Sequence, residues 1–180
     1  MSKRTWTENE EKYRPDFDRA LEARDRGERA RAIELLLEVC DHLEARDTRL
    51  ATHSHLQLSN LNKLEGDSES RLRHAIVAAQ ISPRFELASV ALFHAMLGVG
   101  RTEDAMREMV RYVSAKDSPM YRELLGVGYS LELPMAELEL AVEARKLLRE
   151  REEENAEKSE PGWEKPEPGG EKPPRRPEPG

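Results

Sequence analysis

Cysteine is almost absent from this sequence. Cys40 is the only cysteine among 180 residues, so no disulfide can form within the chain. Aromatic residues make up only 5% of the total, and no run of about 18 apolar residues occurs, which argues against a membrane-spanning helix. The N-terminal dozen residues are polar and carry no secretory signal. These absences predict a reduced, cytoplasmic protein with no membrane partner.

The charge balance narrows the class of partner. Charged residues make up 36% of the chain and hydrophobic residues 37%, and the formal net charge is -7. This content is more charged and less apolar than that of an average globular domain, which favours a thin, elongated architecture over one large core. An acidic chain repels phosphate backbones, so nucleic acid is disfavoured as the main partner.

The two ends of the chain differ in composition from the middle. Residues 159–180 consist almost entirely of Pro, Gly, Glu, Lys and Arg, with too few apolar side chains to offset the entropy of ordering. They are predicted to form a disordered tail. Residues 1–12 are polar apart from Trp6, and are predicted to form a flexible arm.

The residues between these ends show helical spacing of apolar side chains and no convincing strand pattern. The predicted helices are Asp16–Ala23, Ala30–Leu43, His53–Leu64, Ser68–Gln80, Glu86–Leu97, Thr102–Val113 and Met135–Glu157, and Pro119–Gly128 is expected to form a further helix. The sequence therefore predicts an all-α protein.

A glycine recurs at a fixed place between helices. Gly66 and Gly100 are 34 residues apart, and each is followed two residues later by a Ser or Thr that is expected to cap the next helix. An earlier copy begins at Gly27, 39 residues before Gly66, so about five additional residues are expected near residues 46–50. A repeating glycine between two helices indicates a turn.

The stretch Gly98-Val99-Gly100 needs no ligand under this interpretation. A phosphate-binding loop would follow a strand and contain Gly-Lys-Ser/Thr, and neither feature is present. The glycine pair is therefore predicted to form a corner between two helices.

This pattern resembles the tetratricopeptide repeat, a helical hairpin of 34 residues. The residues that carry the resemblance are Ala20, Gly27, Ala32, Leu36 and Val39 in the first copy, Leu58, Ser59, Gly66, Ala75, Ala78 and Pro83 in the second, and Leu92, Gly100, Ala105, Met109 and Tyr112 in the third. The family's tryptophan in the first helix is missing from all three copies. The resemblance implies a right-handed α-solenoid over residues 13–119. Residues 120–158 are expected to add further helices, including a capping helix whose packed face carries Met135, Leu138, Val142 and Leu148.

The resemblance also implies a concave groove, lined by the first helices of successive repeats, that binds a peptide or partner segment. Carried over by position, the candidate partner-binding residues are Arg24, His53, Leu56, Asn60, Lys63, Val90, His94 and Leu97. Asn60 offers an amide for a partner backbone, and Lys63 and Arg24 offer positive charge for an acidic group or a free carboxylate. Leu56 stands where the family's carboxylate clamp needs a lysine, which counts against chaperone C-terminal peptides.

Neither a metal site nor a catalytic site is predicted. His53 and His55 are two residues apart, so on a helix they point about 200° apart and cannot easily hold one ion. No cysteine or carboxylate set completes four ligands, and no His and Asp can be placed beside Cys40 as a nucleophile. The chain is therefore expected to be non-catalytic and to need no cofactor.

Three functions remain open at this point. The leading one is a cytoplasmic adaptor that binds a protein or peptide segment in the groove. A second is a self-assembling structural protein whose face of Leu87, Val90 and Leu97 packs against another copy, forming a homo-oligomer. A third is a protein that neutralises a toxin or effector by masking a basic site, with binding that weakens steeply as salt rises.

Overall fold

The computed structural model describes residues 6–45, 47–126 and 135–159, and within these ranges the only regular structure is helical. The helices are α1 Glu8–Asp25, α2 Arg29–His42, α3 Thr48–Glu65, α4 Ser68–Ile81, α5 Glu86–Gly98, α6 Thr102–Ala115, α7 Pro119–Gly126 and α8 Met135–Ser159. In the part of the chain so described, no helix combines the length and the apolar character that crossing a membrane requires.

The corners between paired helices repeat closely. The helices α2, α4 and α6 are each 14 residues long and each begins two residues after a glycine. These glycines, Gly27, Gly66 and Gly100, have φ angles of 81°, 77° and 75°. In this left-handed region a residue with a Cβ is strained. The prediction that Gly98-Val99-Gly100 forms a corner is confirmed, with Gly98 ending α5 and Gly100 making the turn.

The same two backbone hydrogen bonds close each corner. At Gly66, its N–H donates to the carbonyl of Lys63, and the next N–H, of Asp67, donates to the carbonyl of Asn62 at 2.9 Å. Equivalent bonds are made at Gly27 and at Gly100. They satisfy carbonyl groups that the end of a helix would otherwise leave without a donor.

The helices α1 and α3 begin earlier than predicted. Residues 8–12, expected in a flexible arm, form the first turns of α1, because Thr7 and Glu10 make a capping box. The polar first turns hide this start from a search for apolar periodicity. The insertion expected near residues 46–50 lengthens α3, which has 18 residues against 13 in α5.

The residues predicted to cap α4 and α6 do not do so. Ser68 and Thr102 are the first helical residues, one position past the cap. In α4 the carboxylate of Asp67 accepts the N–H of Ser70 at 2.9 Å, and in α6 no side chain caps the helix at Arg101. The error is a shift of one residue in where each helix starts.

The apolar core is divided along the chain into three consecutive clusters. The first joins α1, α2 and α3 through Ala20, Leu36 and Leu58, and the second joins α3, α4 and α5. The third joins α5 through α8 and includes Phe93 and Met109. The helices α1 to α6 therefore pack mainly against their neighbours in sequence, as expected for a thin architecture, whereas α8 packs mainly against α6.

The C-terminal helix α8 packs against α6 and α7. Its buried face carries Ala141, Ala144 and Leu148. Of the four residues predicted to pack, Leu148 is buried, Leu138 and Val142 are exposed, and the side chain of Met135 lies outside the described part of the chain. The prediction was right for Leu148 and wrong for Leu138 and Val142, because the face that packs against α6 runs through Ala141 and Ala144. The tail predicted over residues 159–180 lies outside the described residues from residue 160 onward.

Candidate functional site

A cavity of about 480 Å³, here called the first cavity, opens between α3 and α5. It is lined from α3 by His53, Leu56, Gln57, Ser59, Asn60 and Lys63, from α4 by Arg71, and from α5 by Leu87, Val90, Ala91 and His94. The positions in α3 recur at steps of three and four residues, which places them on one face of the helix.

The first cavity brings together six of the eight predicted partner-binding residues, namely His53, Leu56, Asn60, Lys63, Val90 and His94. Arg24 lies beyond the lining, where its Nη1 donates to Oε1 of Gln57 at 2.7 Å and its Nη2 lies 2.7 Å from a carboxylate oxygen of Asp25. Leu97 is not brought into the cavity. It is half-buried against the third core cluster, since its side chain packs toward the core at the end of α5.

The lining is divided into an apolar floor and a polar rim. Leu56 and Val90 are buried and form part of the floor, while Leu87 is 46% exposed at the opening. Asn60 and Lys63 are exposed on α3. A polypeptide segment could therefore bury apolar side chains on the floor while its backbone meets amides at the rim.

Arg71 lines the cavity although it belongs to α4, and the groove prediction did not include it. A Cβ built at Gly98 would lie 2.9 Å from Nη1 of Arg71, so the glycine leaves room for the guanidinium beside α5. The sequence carries a signal for this residue, because an arginine stands among the apolar and small residues of the second helix. Its direction could not be read without the position of Gly98.

The charged side chains that line the first cavity are all basic. Its charged lining residues are Lys63 and Arg71, and no Asp or Glu lines it. Burial lowers the pKa of His94, and the cationic Arg71 and Lys63 lower it further. Burial and the nearby Arg49 likewise lower the pKa of His53. Both imidazoles are therefore neutral at pH 7, and the positive charge comes from the two basic side chains.

The side chains of His55, His74 and Cys40 lie outside the lining of the first cavity. His55 faces away from the cavity, and its Nδ1 lies 3.1 Å from Nδ1 of His74, so one neutral ring donates to the other. Burial, and then the neighbouring His74, lowers the pKa of His55 to about 4. Burial raises the pKa of the Cys40 thiol to about 12, which keeps it protonated at neutral pH.

No metal centre is assembled by the described residues. Among them, no three His, Cys, Asp or Glu side chains lie together in a way that could hold a metal ion. The first cavity is lined by amides, basic groups and an apolar floor.

Comparison with protein-family models, with curated proteins and with solved structures found no match to this chain. The class that its fold and site define is thus an all-helical protein of consecutively packed helices, with a basic, amide-rimmed cavity between α3 and α5.

Proposed function

We propose that the chain is a non-catalytic adaptor that binds an extended segment of a partner protein in the first cavity. The observation that carries the proposal is the composition of the lining: basic and amide side chains above an apolar floor, with no carboxylate. Such a lining suits a polypeptide with an acidic group, because the partner's carboxylate meets two cations and its backbone meets Gln57 and Asn60.

The arrangement of helices supports a stack related to the tetratricopeptide repeat. The helices α1, α3, α5 and α7 contact one another in order, and α6 contacts α8. Three equivalent glycine corners precede three helices of equal length. We infer a right-handed solenoid of this kind, with the first cavity on the face formed by the first helix of each pair.

Self-assembly through the same face is less well supported. The apolar face expected to meet a second copy consisted of Leu87, Val90 and Leu97. Val90 is buried and Leu97 is half-buried in the chain's own core, so Leu87 alone of the three is largely exposed. One exposed leucine is a small contribution to a stable interface, which normally has a buried apolar centre.

Affinity capture from a lysate of the native host, read by mass spectrometry, tests the adaptor function. The bait carrying Asn60→Ala and Lys63→Glu should recover its partner about tenfold less than the unaltered chain, since an amide and a cation are lost from the rim. Both positions are exposed, so folding should be unchanged.

The matched control for this capture is Arg73→Glu, a charge reversal at an exposed arginine of α4 outside the cavity. It should recover the partner as well as the unaltered chain does. Equal recovery by all three baits would contradict binding in the first cavity.

A further inference from the structure

A second, larger cavity adjoins the first. It has a volume of about 950 Å³ and lies between the start of α3, the α4–α5 connection and the end of α6. His53 of α3 lines both cavities, so the two meet at this side chain. None of the candidate partner-binding residues other than His53 belongs to the second cavity.

Three basic side chains line this second cavity: Arg49 from α3, Arg84 from the α4–α5 connection and Lys116 just after α6. The only carboxylate in the lining is that of Glu10, which is 3% exposed. Its Oε1 accepts the backbone N–H groups of Arg49 and Leu50 at 2.8 and 2.9 Å, and its Oε2 accepts that of Thr7 at 3.0 Å. Both carboxylate oxygens of Glu10 therefore already accept backbone hydrogen bonds at the starts of α1 and α3.

The basic residues of the two cavities have no ion-pair partner among the described residues, whereas most basic residues elsewhere have one. Within the described part of the chain, the five that line the cavities have no carboxylate within 4.0 Å; they are Arg49, Lys63, Arg71, Arg84 and Lys116. Of the other sixteen Lys and Arg residues whose side chains are described, eleven do have one, and five do not: Lys12, Arg73, Arg145, Arg149 and Arg151. Among the residues that the structure describes, all five basic side chains of the two cavities thus lack a neutralising carboxylate, in a chain of net charge -7.

The positions of these cations are partly fixed by their surroundings. The guanidinium carbon of Arg49 lies 4.0 Å from the centre of the Trp6 ring, in a cation–π contact. Nζ of Lys116 lies 3.4 Å from the backbone oxygen of Arg84, which brings two different helix connections together. The hydroxyl groups of Thr52 and Ser82, 2.8 Å apart, belong to the same lining.

We propose that the second cavity binds a run of acidic side chains on the same partner segment that occupies the first cavity. This inference rests on the proposed function and adds where the acidic residues of that segment bind. The carboxylates would pair with Arg49, Arg84 and Lys116, and the chain would pass His53 to reach the first cavity. A nucleic acid fits less well, because its charge continues beyond the cavities onto a surface of net negative charge.

The test uses the full chain labelled with ¹⁵N and a synthetic peptide of about twelve residues that carries four glutamates among Leu, Ser and Gly. The same peptide with glutamine in place of glutamate is the matched probe. We expect the acidic peptide to shift the backbone amide resonances of residues 49–53 and of Ser82, Arg84, Phe85 and Lys116. The glutamine peptide should leave these resonances unchanged.

Charge-reversal variants then test whether the acidic peptide binds in the second cavity. The variant Arg84→Glu with Lys116→Glu changes two exposed side chains and should weaken binding of the acidic peptide about tenfold at low salt. The difference from the unaltered chain should shrink as salt is raised. Arg73→Glu, an exposed arginine of α4 outside both cavities, should bind as the unaltered chain does.

Each outcome separates this inference from the proposed function. Shifts confined to the first cavity would overturn the inference and leave the adaptor function standing. Shifts confined to the second cavity would support an acidic-side-chain site there, but would overturn its sharing of one segment with the first cavity and contradict binding in the first cavity. No shift in either, up to millimolar peptide, would overturn the inference, and the capture experiment would still judge the adaptor function. Tighter binding of a twelve-nucleotide thymidine oligomer than of the peptide would contradict a polypeptide partner.

Discussion

At the scale of single residues, the glycine corners set where each helix pair turns. Gly27, Gly66 and Gly100 share a left-handed backbone, and a Cβ added at any of them would meet nothing within 4 Å. The requirement for glycine is therefore conformational and not steric. Other residue types are excluded there by their own backbone preference.

Replacing Gly66 tests this cause directly. Gly66→Ala should lower the free energy of unfolding by about 1 kcal/mol, because alanine is strained at a φ of 77°. Gly66→Asn should cost clearly less, since asparagine tolerates this region better and the site has space for it. Urea denaturation followed by circular dichroism measures both. Equal losses for alanine and asparagine would show that something other than backbone conformation requires glycine.

Single residues also mark the limit of what the sequence predicts. The recurrence of glycine at 34 residues identifies the corners, because it depends on one residue type with one conformational property. The direction of Arg71 and the inward turn of Leu97 depend on how two helices approach each other. The position of a residue within a repeat does not reveal how closely two helices approach each other.

At the scale of helices, hydrogen bonds join the start of α1 to the start of α3, and the start of α5 to the start of α7. Glu10 of α1 accepts from the first turn of α3, and Glu86 of α5 accepts from Met120 N–H of α7 at 2.9 Å. The helix α3 has no side-chain cap of its own at Asp47. A carboxylate of the preceding helix pair therefore takes the place of a local cap, and couples successive pairs.

Removal of the Glu10 carboxylate should break the link between α1 and the start of α3. Glu10→Ala leaves the N–H groups of Arg49 and Leu50 without their acceptor, and should cost about 2 kcal/mol of unfolding free energy. Glu11→Ala, an exposed neighbour in α1, is the matched control and should cost less than about 0.5 kcal/mol. A similar small loss for both variants in urea denaturation would contradict the coupling.

Helices are also the level at which the sequence predicts most. All the long helices follow from apolar spacing, and the errors lie at starts and faces. The early start of α1 has a local signal, Thr7 followed three residues later by Glu10, that apolar periodicity does not contain. The buried face of α8 has no such signal, because alanines and leucines occur on several sides of it and packing against α6 selects among them.

At the scale of the whole molecule, the two cavities are mainly basic although the chain as a whole is acidic. The chain carries an excess of seven negative charges, yet the charged lining of its two cavities is basic apart from Glu10. Composition alone suggested an acidic surface. The basic lining could not be predicted from it, because Arg49, Arg84 and Lys116 come from three separate segments that only the fold brings together.

The most direct test of the central claim is photo-crosslinking of the native complex from the cavity itself. A benzoylphenylalanine at position 60, on the rim of the first cavity, should form an adduct with one partner protein in cells of the native host. The same group at position 37, an exposed position of α2 outside both cavities, should not. An adduct with a partner from position 60 alone is the result expected if the first cavity is the binding site. An adduct from position 37 alone, or one at position 60 whose mass is that of two copies of this chain, would contradict the adaptor function.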